Sequence, residues 1–534
     1  MMGRWILFAA LLCMLTLYAN SAPAQEMEPE EPEIVLPSIV LEIEDLSVEK
    51  VRSGLPESEE LPTPWREHPL PEPGELEIEE SSLEILAPDE GSPAYAERTD
   101  FVAETIIGTG VPNHFFSSIS LHKYGELPEG NLFFQHEVAD GFSDNPQGSG
   151  FNSREDTLEG MVKFALGDFD IKTSAEFSDF ERGLQGQGTY YSKLNRSVSG
   201  AVTAQYGISE QFLLKGNFDG WVASQLLTGT PSGEQTQELL ISPRIRGELL
   251  MENWYIGLTP RLSYRNVPDN PDLQVTRVGV NADFGITLGE KYRIDGGVGW
   301  FYSRWTDHLV PFHLAFTLTP SELFSLQAKG GYKIVEYNLI DIFDQYIYSA
   351  VPALLIDNHG WFFDLGSRLF LSDRWMFSAD LSFMDENGML TVDQTTDPTS
   401  GLFTPNQVEA LRLGVTVGAR WNITRGITAD FGAASQFLDN PAFFPQHKIS
   451  ADLEGTEQSG RYGGGILSSL FLGEHRSIQA PVIDLYGFYR PADFVKLSIE
   501  ISDLLLPIVR TSRYSWYPYI EKGFGITLKA QINF

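Results

Sequence analysis

The fold class is decided by residues 525–534, which read GITLKAQINF. Apolar and polar residues alternate strictly along this stretch: Ile526, Leu528, Ala530, Ile532 and Phe534 are apolar, and Thr527, Lys529, Gln531 and Asn533 are polar. Successive side chains of a β-strand point to opposite faces, so one face of this strand is apolar and the other is polar. The sequence therefore predicts a strand with an apolar environment on one side and water on the other.

The same alternation recurs at 278–288, 411–421 and 495–502. Strands of soluble proteins are usually about five or six residues long, and these segments are longer. Charged residues such as Asp283 and Arg412 stand opposite the apolar rows. A barrel wall between lipid and a wet lumen needs this pattern. We therefore predict an all-β fold, a transmembrane antiparallel β-barrel, with a large soluble all-β protein as the alternative.

Composition favours the barrel over a helical membrane protein. The chain holds 49 glycines, 20 tyrosines and 35 phenylalanines, while charged residues make up 21%. Aromatic residues suit pleated strands, and beyond the N-terminus no apolar stretch reaches the roughly 18 residues that a transmembrane helix needs. Insertion into a membrane therefore has to be as a barrel.

The first 24 residues have the features of a signal peptide. Arg4 precedes an apolar run from Trp5 to Tyr18, and small residues including Ala22 and Ala24 follow it. The run is too short for a membrane span. The chain's one cysteine, Cys13, lies inside this run, so the mature chain is expected to contain no thiol. Disulfides, thiolate catalysis and cysteine-ligated metals are thereby excluded.

Residues 25–100 form an acidic, proline-rich segment, here called the acidic tail. Between Glu26 and Asp100 there are 23 acidic residues, four basic residues and 11 prolines. Such a composition buries too little apolar surface to order the backbone, so we expect an extended periplasmic tail. Apolar islands interrupt it at 34–43 and, more weakly, at 76–86. The residues of the first island that we consider candidates for docking a periplasmic partner are Glu33, Ile34, Val35, Leu36, Ile39, Val40 and Leu41.

The order of short and long connections predicts the number of strands, because barrels of this kind keep short turns on the periplasmic side. Ten tight connections are expected, at 126–130, 167–168, 207–210, 252–254, 289–290, 320–321, 372–373, 424–426, 457–460 and 491–492. Longer outer loops are expected at 140–156, 183–192, 339–360, 387–407, 439–446 and 507–517. Ten inner turns give about 22 strands, so residues 101–534 form the predicted barrel. A barrel that starts and ends in the periplasm has an even number of strands. Phe101 to Thr109 therefore has to be the first strand, followed by a short outer loop at 110–113.

Aromatic residues near the predicted strand ends are candidates for the interfacial girdles of a barrel. The residues concerned are Trp221, Trp254, Trp300, Trp375 and Tyr519. The alternative is that each is simply an aromatic residue of a strand.

The start of the predicted barrel resembles the TonB-dependent receptors of the outer membrane. The resemblance lies in Ile107-Gly108-Thr109-Gly110, the strand to Tyr124, the strand 132–138 and the loop 139–145, which reads ADGFSDN. It covers roughly residues 101–180, with the architecture beyond. It implies a barrel of 22 strands, in agreement with the count of connections, and a terminal Phe534 that serves as the barrel-assembly signal.

The resemblance also implies a plug domain of well over a hundred residues before the barrel, and the acidic tail is too short to be one. We therefore expect a barrel without a recognisable plug. The sequence Glu33-Ile34-Val35-Leu36 resembles the short apolar coupling box of these receptors. An extended peptide of this kind could add a strand to the sheet edge of a periplasmic or inner-membrane coupling protein. The alternative is a tail that folds against the inner mouth of the barrel or has no specific role.

Five arginines on neighbouring predicted strands are candidates for a luminal anion-binding site. Alternation places Arg244, Arg246, Arg261, Arg265 and Arg277 on the inner face, with Arg244 and Arg261 as diagonal neighbours. Guanidinium groups gathered on one wall suit carboxylates, phosphates or sulfated sugars. The alternative is a charge ladder that pairs locally with residues such as Glu248 and Asp283.

The sequence contains no motif that predicts an enzyme. Gly-x-Ser-x-Gly, His-Glu-x-x-His and a phosphate loop between a strand and a helix are all missing, and the nine histidines are scattered. We expect no catalytic residues, no cofactor, no metal site and no nucleic-acid partner; a hydrolase embedded in the barrel is the remaining enzymatic alternative. The expected partners are outer-membrane lipid, the barrel-assembly machinery and a coupling protein at the tail.

Two functions remain open from the sequence. The first is an outer-membrane channel or transport protein whose acidic tail gates the pore or recruits a partner. The second is a surface, assembly or envelope-tethering protein with the barrel as its anchor. The sequence names no solute.

Overall fold

The computed structural model describes residues 101–534, except for 126, 143–144, 230–234, 290, 439–445, 473–480, 510–513 and the side chain of Ser515. The predicted signal peptide (1–24) and acidic tail (25–100), with the docking residues Glu33 to Leu41, lie outside the described residues. In the described part, 22 antiparallel strands form one closed barrel, as the sequence predicts.

The barrel strands follow chain order. They are β1 (Phe101–Val111), β2 (His114–Lys123), β3 (Glu129–Asp140), β4 (Asn152–Leu166), β5 (Phe169–Gly183), β6 (Ser192–Ser209), β7 (Phe212–Thr228), β8 (Gln235–Met251), β9 (Trp254–Asn266), β10 (Val275–Leu288), β11 (Tyr292–Ser303), β13 (Phe312–Ser321), β14 (Phe324–Val335), β15 (Asn358–Ser372), β16 (Trp375–Thr396), β17 (Phe403–Thr424), β18 (Ile427–Leu438), β19 (His447–Thr456), β20 (Tyr462–Leu472), β21 (Val482–Ala492), β22 (Val495–Ser502) and β25 (Gly525–Asn533).

Minor elements lie in the outer connections. Strand β12 (Asp307–Leu309) extends the edge of β11, and β23 (Tyr514–Trp516) pairs with β24 (Tyr519–Ile520) in a separate ribbon. A 3-10 turn spans Pro271–Leu273, and the helices are α1 (Leu339–Gln345) and α2 (Leu506–Val509). Neither helix of the described part is long and apolar enough to cross a membrane.

The first and last strands close the ring. Strand β1 pairs with β25 from Glu104↔Asn533 to Val111↔Ile526. Ala103 and Phe534 exchange two backbone hydrogen bonds of 3.2 and 2.8 Å. The prediction that a strand starting at Phe101 precedes a short outer connection is confirmed. The role of Phe534 as an assembly signal stays a prediction.

The ten predicted inner turns are present, and they join strands through two to five residues. Several lie one to three residues beyond the predicted position, for example at 322–323 and 493–494. Register shifts next to these turns, such as those at Leu318/Ser321 and Tyr489/Ala492, allow the ladder to continue further than an unbulged hairpin would.

The predicted outer loop at 387–407 is wrong over most of its length. Strands β16 and β17 each have 22 residues and pair through this region, and the residues that join them are 397–402. Apolar side chains explain the extension, because Leu390, Val392 and Phe403 are buried at the outer end of the barrel. Burial of these side chains stabilises strands above the apolar belt.

The outward face of the barrel is an apolar belt. Ile245, Ile256, Leu258 and Leu262, which alternation places outward, are between 42% and 55% exposed. A belt of this composition is solvated by lipid, not by water.

Aromatic residues lie at the ends of the outward-facing rows. Trp254 and Trp300 are exposed there, and Trp375 stacks on Trp421 at 5.0 Å. The assignment of Trp221 and Tyr519 to the girdles is wrong: Trp221 points inward and donates to Glu238, and Tyr519 is 1% exposed among the outer loops. The ring of Trp221 is held inside by its hydrogen bond to Glu238, and the ring of Tyr519 is packed in an apolar cluster, so neither ring lies at a membrane interface.

Candidate functional site at the outer mouth

The connection between β14 and β15, residues 336–357, folds into the barrel and is here called the luminal loop. Helix α1 lies within it and buries Leu339, Ile342 and Phe343. Asn338 and Asp341 cap the first turn, since the Asn338 backbone N–H donates to the Asp341 carboxylate at 2.8 Å. The apolar face of this short helix therefore packs against the inner wall and the neighbouring outer loops.

The luminal loop is the centre of one hydrophobic cluster, here called the outer cluster. Its buried members are Leu184, Leu227, Val267, Leu273, Leu339, Ile342, Phe343, Tyr346, Tyr348, Leu355, Leu390, Val392, Leu402, Phe403 and Tyr519. They come from barrel strands, from the luminal loop and from four further outer connections. This cluster of buried side chains thus lies across the outer mouth.

The luminal loop is attached to the long hairpin by backbone and side-chain contacts. Ser349 bridges to Phe403, and the Ala350 N–H donates to the Phe403 carbonyl oxygen at 2.8 Å. The Tyr346 hydroxyl donates to the Leu390 carbonyl oxygen at 2.6 Å. These bonds satisfy backbone groups that would otherwise be buried without partners.

Arg277, on β10, holds the end of the luminal loop. Its Nε and Nη2 atoms donate to the Asp357 carboxylate at 2.9 and 2.7 Å, and both side chains are 2% exposed. Nη2 also donates to the Tyr337 carbonyl oxygen at 2.8 Å. A buried ion pair of this geometry is strongly destabilised when one partner is removed, by about 3–5 kcal/mol.

Arg265, on β9, donates to carbonyl oxygens of the luminal loop and of the β9–β10 connection. Nε donates to Leu273 at 2.8 Å, Nη1 to Tyr337 at 2.5 Å and Nη2 to Leu355 at 3.1 Å. The residue has no exposed surface. Its guanidinium group therefore fixes three backbone segments at once.

The other three predicted arginines form ion pairs. Arg261 lies 2.7 Å from Glu336, the first residue of the luminal loop. Arg244 lies 2.7 Å from Asp219, a residue of β7. Arg246 donates to Asp283 at 2.7 Å and to Glu248 at 3.2 Å, the two local partners that the charge-ladder alternative names. Arg244 and Arg261 lie directly opposite in the β8–β9 register, closer than the predicted diagonal.

The structure thus divides the five arginines into two groups. Arg261, Arg265 and Arg277 contact the luminal loop, whereas Arg244 and Arg246 pair with carboxylates of the wall. Anion binding by these residues stays a prediction.

Three wall residues that contact the loop were not expected from the sequence. Lys193 Nζ donates to the carbonyl oxygens of Ile347 and Ser349 at 2.8 Å each, and Gln225 Nε2 donates to Ser349 at 3.1 Å. Glu238, with no exposed surface, accepts from the Leu339 N–H at 2.8 Å and from Trp221 Nε1 at 2.9 Å.

One signal in the sequence could have revealed these contacts. The apolar spacing Leu339, Ile342, Phe343 and Tyr346 is that of an amphipathic helix, and it stands inside a connection expected to face water. Its apolar side needs a partner, and the luminal wall supplies it.

Contacts between loops span the mouth. The Thr189 N–H donates to the Thr399 carbonyl oxygen at 2.9 Å, joining the β5–β6 and β16–β17 connections. Ten barrel strands separate these connections one way round the ring and twelve the other way. Gln185 exchanges two 2.8 Å hydrogen bonds with the backbone of Ile520. Tyr348 stacks on Tyr519 at 3.7 Å, and the Tyr519 hydroxyl donates to the Gly401 carbonyl oxygen.

Two carboxyl groups of α1 have altered acidity. Burial raises the pKa of Asp341 to about 7, and nearby Glu238 adds to the rise while hydrogen bonds from Asn338 oppose it. Burial and Glu176 raise the pKa of Asp344 to about 6, against the opposing charge of Lys193. Both residues lie in the luminal loop, which links its docking to pH. Among the described residues, no group of three or more His, Cys, Asp and Glu side chains could hold a metal ion.

Solved structures resemble this chain over most of its length. The FrpB iron transporter from Neisseria meningitidis (F3-3 variant) has a TM-score of 0.62 at 11% identity, covering 82% of this chain and 82% of that chain. The copper transporter OprC has a TM-score of 0.63 at 13% identity, covering 83% of this chain and 82% of that chain. The siderophore receptor PirA from Pseudomonas aeruginosa has a TM-score of 0.59 at 12% identity, covering 83% and 82%.

The barrel has the fold of the TonB-dependent receptors. The resemblance predicted from the first strands is confirmed at the level of fold, including the 22 strands. At these identities the likeness concerns the fold alone. No family model matches the sequence, and no curated protein matches it either.

Proposed function

We propose that this chain is an outer-membrane transport channel whose outer mouth is closed by its own luminal loop. The observation that carries the proposal is the placement of residues 336–357 inside a receptor-sized barrel, attached to wall residues from β6 to β10. A barrel of 22 strands is wide enough to enclose an aqueous or plugged lumen. The iron, copper and siderophore proteins of the same fold support a transport role.

The gate in this proposal is the luminal loop and not a separate plug. Two of its polar attachments share one acceptor, since the Tyr337 carbonyl oxygen accepts from both Arg265 and Arg277. Breaking one attachment therefore weakens its neighbours, because residues that share partners respond as a unit. Such a loop can be released as a whole while the backbone ladder of the barrel stays intact.

The acidic tail has the second role in the proposal. It lies in the periplasm and either gates the inner end of the pore or recruits a coupling protein through Glu33, Ile34, Val35, Leu36, Ile39, Val40 and Leu41. Recruitment of a coupling protein is supported by the apolar island, which can add a strand to the edge of a partner's sheet. The charge and proline content of the acidic tail support its role as a mobile tether. Phe534, at the seam with β1, is the proposed signal to the barrel-assembly machinery.

Planar-bilayer conductance tests the proposal. We would compare the mature chain with a chain lacking residues 26–100 and a chain in which residues 338–356 are replaced by a short Gly-Ser linker. The expected result is a small or rare conductance in the mature chain and a large, stable conductance after removal of the luminal loop. A change on removal of the tail alone would assign gating to the tail.

The closed mouth also favours one alternative, a surface, assembly or envelope-tethering protein with the barrel as anchor. The bridge between Thr189 and Thr399 would then be a permanent platform. A folded barrel without conductance in all three chains would favour the anchor and exclude the channel.

A further inference from the structure

Charge is distributed unevenly between the luminal loop and the wall that holds it. The loop contains four carboxyl groups, Glu336, Asp341, Asp344 and Asp357, and no lysine or arginine. Four cations of the described wall contact the loop directly. They are Lys193, Arg261, Arg265 and Arg277. An acidic peptide thus fills a basic recess.

The recess contains carboxyl groups as well, and Glu238 lies near enough to Arg265 and Arg277 to attract both. Glu238 accepts from the loop backbone and from Trp221, and Glu176 faces Asp344. Within the described part of the chain, neither Lys193 nor Arg265 has a carboxylate at ion-pair distance; both donate to carbonyl oxygens alone. A buried cation whose partners are neutral gains strongly from an anion.

The loop presents to these cations the atoms that an oxyanion would present. Asp357 meets Arg277 with both carboxylate oxygens, in the side-on geometry that guanidinium groups form with carboxylates and phosphates. Glu336 meets Arg261, and carbonyl oxygens of Tyr337, Ile347 and Leu355 complete the set.

We propose that Arg261, Arg265 and Arg277, which are joined through Glu336 and the Tyr337 carbonyl oxygen, form a binding site for an anionic solute rich in carboxylate or phosphate oxygens, and that the luminal loop occupies this site until the solute displaces it. The inference rests on the proposed channel function and adds the chemical class of the solute. Arg244 and Arg246 differ from these residues because their carboxylate partners belong to the wall and stay in place when the loop leaves.

The two halves of one ion pair provide the decisive test. Asp357→Asn weakens the binding of the luminal loop and leaves the proposed anion site intact. Arg277→Gln also weakens the binding of the loop, but it removes a residue of the site. If the loop mimics a solute, the first variant becomes more sensitive to anions and the second becomes less sensitive. If the pair is merely structural, both variants loosen the loop and respond to anions alike.

The measurement uses the full mature chain in planar bilayers, with citrate or inorganic phosphate added on the side of the luminal loop at constant ionic strength. We expect saturable opening by at least one of the two probes, and the more effective probe assigns the solute to carboxylates or phosphates. Asp357→Asn should lower the half-maximal concentration at least about tenfold, and Arg277→Gln should raise it at least about tenfold.

Arg420→Gln is the matched control, because Arg420 pairs with Asp430 on the inner wall far from the loop, at 2.8 Å. Its response should equal that of the unchanged chain. Arg261→Gln is the second site variant, in case Arg277→Gln does not fold, and it should also reduce sensitivity. Equal shifts in Asp357→Asn and the site variants, or no saturable response to either probe, would overturn the inference.

Displacement of the loop can be read without conductance. Ser349 is fully buried under Lys193 and Gln225, so a Ser349→Cys variant of the mature chain should react slowly with a maleimide and faster when the effective anion is present. Anion-dependent labelling without any conductance would contradict the channel alone. Conductance with anion-independent labelling would contradict the anion site alone.

Discussion

The backbone N–H of Thr189 donates to the carbonyl oxygen of Thr399 at 2.9 Å across the mouth of the barrel. The Thr189 hydroxyl donates to the same oxygen, also at 2.9 Å, so one acceptor receives two bonds. The connections that carry these residues leave the ring on nearly opposite sides. The outer mouth is therefore bridged, and its closure can be tested one contact at a time.

A disulfide in place of this bridge should lock the mouth. Disulfides need Cα atoms about 5–6 Å apart. Thr189→Cys combined with Thr399→Cys places two thiols on backbones that are in direct hydrogen-bond contact. We expect oxidation to give a faster-migrating species on a non-reducing gel and to abolish anion-dependent opening, with recovery on reduction. Each single variant serves as control. Absence of the cross-link in the folded barrel would contradict the bridge.

Removal of the Glu238 carboxylate should release the start of α1. Glu238→Ala deprives the Leu339 N–H and the Trp221 indole N–H of their acceptor, at a cost of about 1–3 kcal/mol for each donor left buried. Hydrogen exchange at 338–346 should accelerate. Glu238→Gln keeps an acceptor oxygen and should lie between the two. Ser242→Ala, on the same face of β8, is the control that should leave exchange unchanged.

Docking of the luminal loop should weaken as pH rises. The pKa of Asp341 is raised to about 7 and that of Asp344 to about 6, so the docked loop favours the protonated carboxyls. This stabilisation is complete below about pH 4, the ordinary pKa of aspartate, and is lost as pH rises through 6 and 7. Hydrogen exchange in the loop, corrected for its intrinsic pH dependence, should be faster at pH 8 than at pH 5.

Asp341→Asn with Asp344→Asn should flatten this pH profile. Asp397→Asn is a control of opposite sign, because backbone N–H groups of Ser400 and Thr399 lower the pKa of Asp397. Its contribution is lost only in more acidic solution, so the profile between pH 5 and 8 should keep its shape. A profile that is steeper in the double variant would contradict the assignment.

Tyr519 should prove essential for joining three outer connections. Tyr519→Ala removes the ring stacked on Tyr348 and opens a cavity, at an expected cost of about 3–5 kcal/mol to the outer cluster. Tyr519→Phe loses only the hydroxyl bond to Gly401, at about 1 kcal/mol. Hydrogen exchange in the luminal loop should follow that order, whereas exchange in barrel strands should not change. Equal effects of the two variants would contradict the role of the ring.

The assignment of faces can be tested at one neighbouring pair. Ile245 points outward and is 55% exposed, whereas Arg246 points inward. Ile245→Arg should destabilise the barrel by about 2–4 kcal/mol if the site lies near the middle of the bilayer. Ser242→Arg puts the same side chain on the luminal face and should cost less. Denaturant unfolding in lipid vesicles measures both.

The barrel was predictable because its signals are local. Alternation along β25, turn residues between strands and the parity of connections depend on nearby positions alone, and they place β1 correctly at Phe101. The faces of Arg244 and Arg261 follow from the same period of two. The extension of β16 and β17 was missed because Leu390 and Val392 gain their burial from loops that are distant in sequence.

The candidate site was predictable only in part for the same reason. Alternation identifies Arg265 and Arg277 as luminal residues, but their partners Leu355 and Asp357 lie 90 and 80 residues away in a connection that has no fixed period. Lys193 is a single lysine at the start of a strand, with nothing nearby to indicate that it meets Ser349. Contacts made by a folded loop require knowledge of the loop's path.

The seam between β1 and β25 has a consequence for the order in which the molecule is made. Thr189 and Thr399 are 210 residues apart, and the ring that holds them at their separation is complete only when the final strand has paired with the first. Contacts of such long range form late and slowly. A nascent barrel would therefore pass through a stage in which the ring is closed but the contacts across its outer mouth have not yet formed. Substitutions that disrupt those contacts would leave membrane insertion unaffected and make the outer membrane permeable.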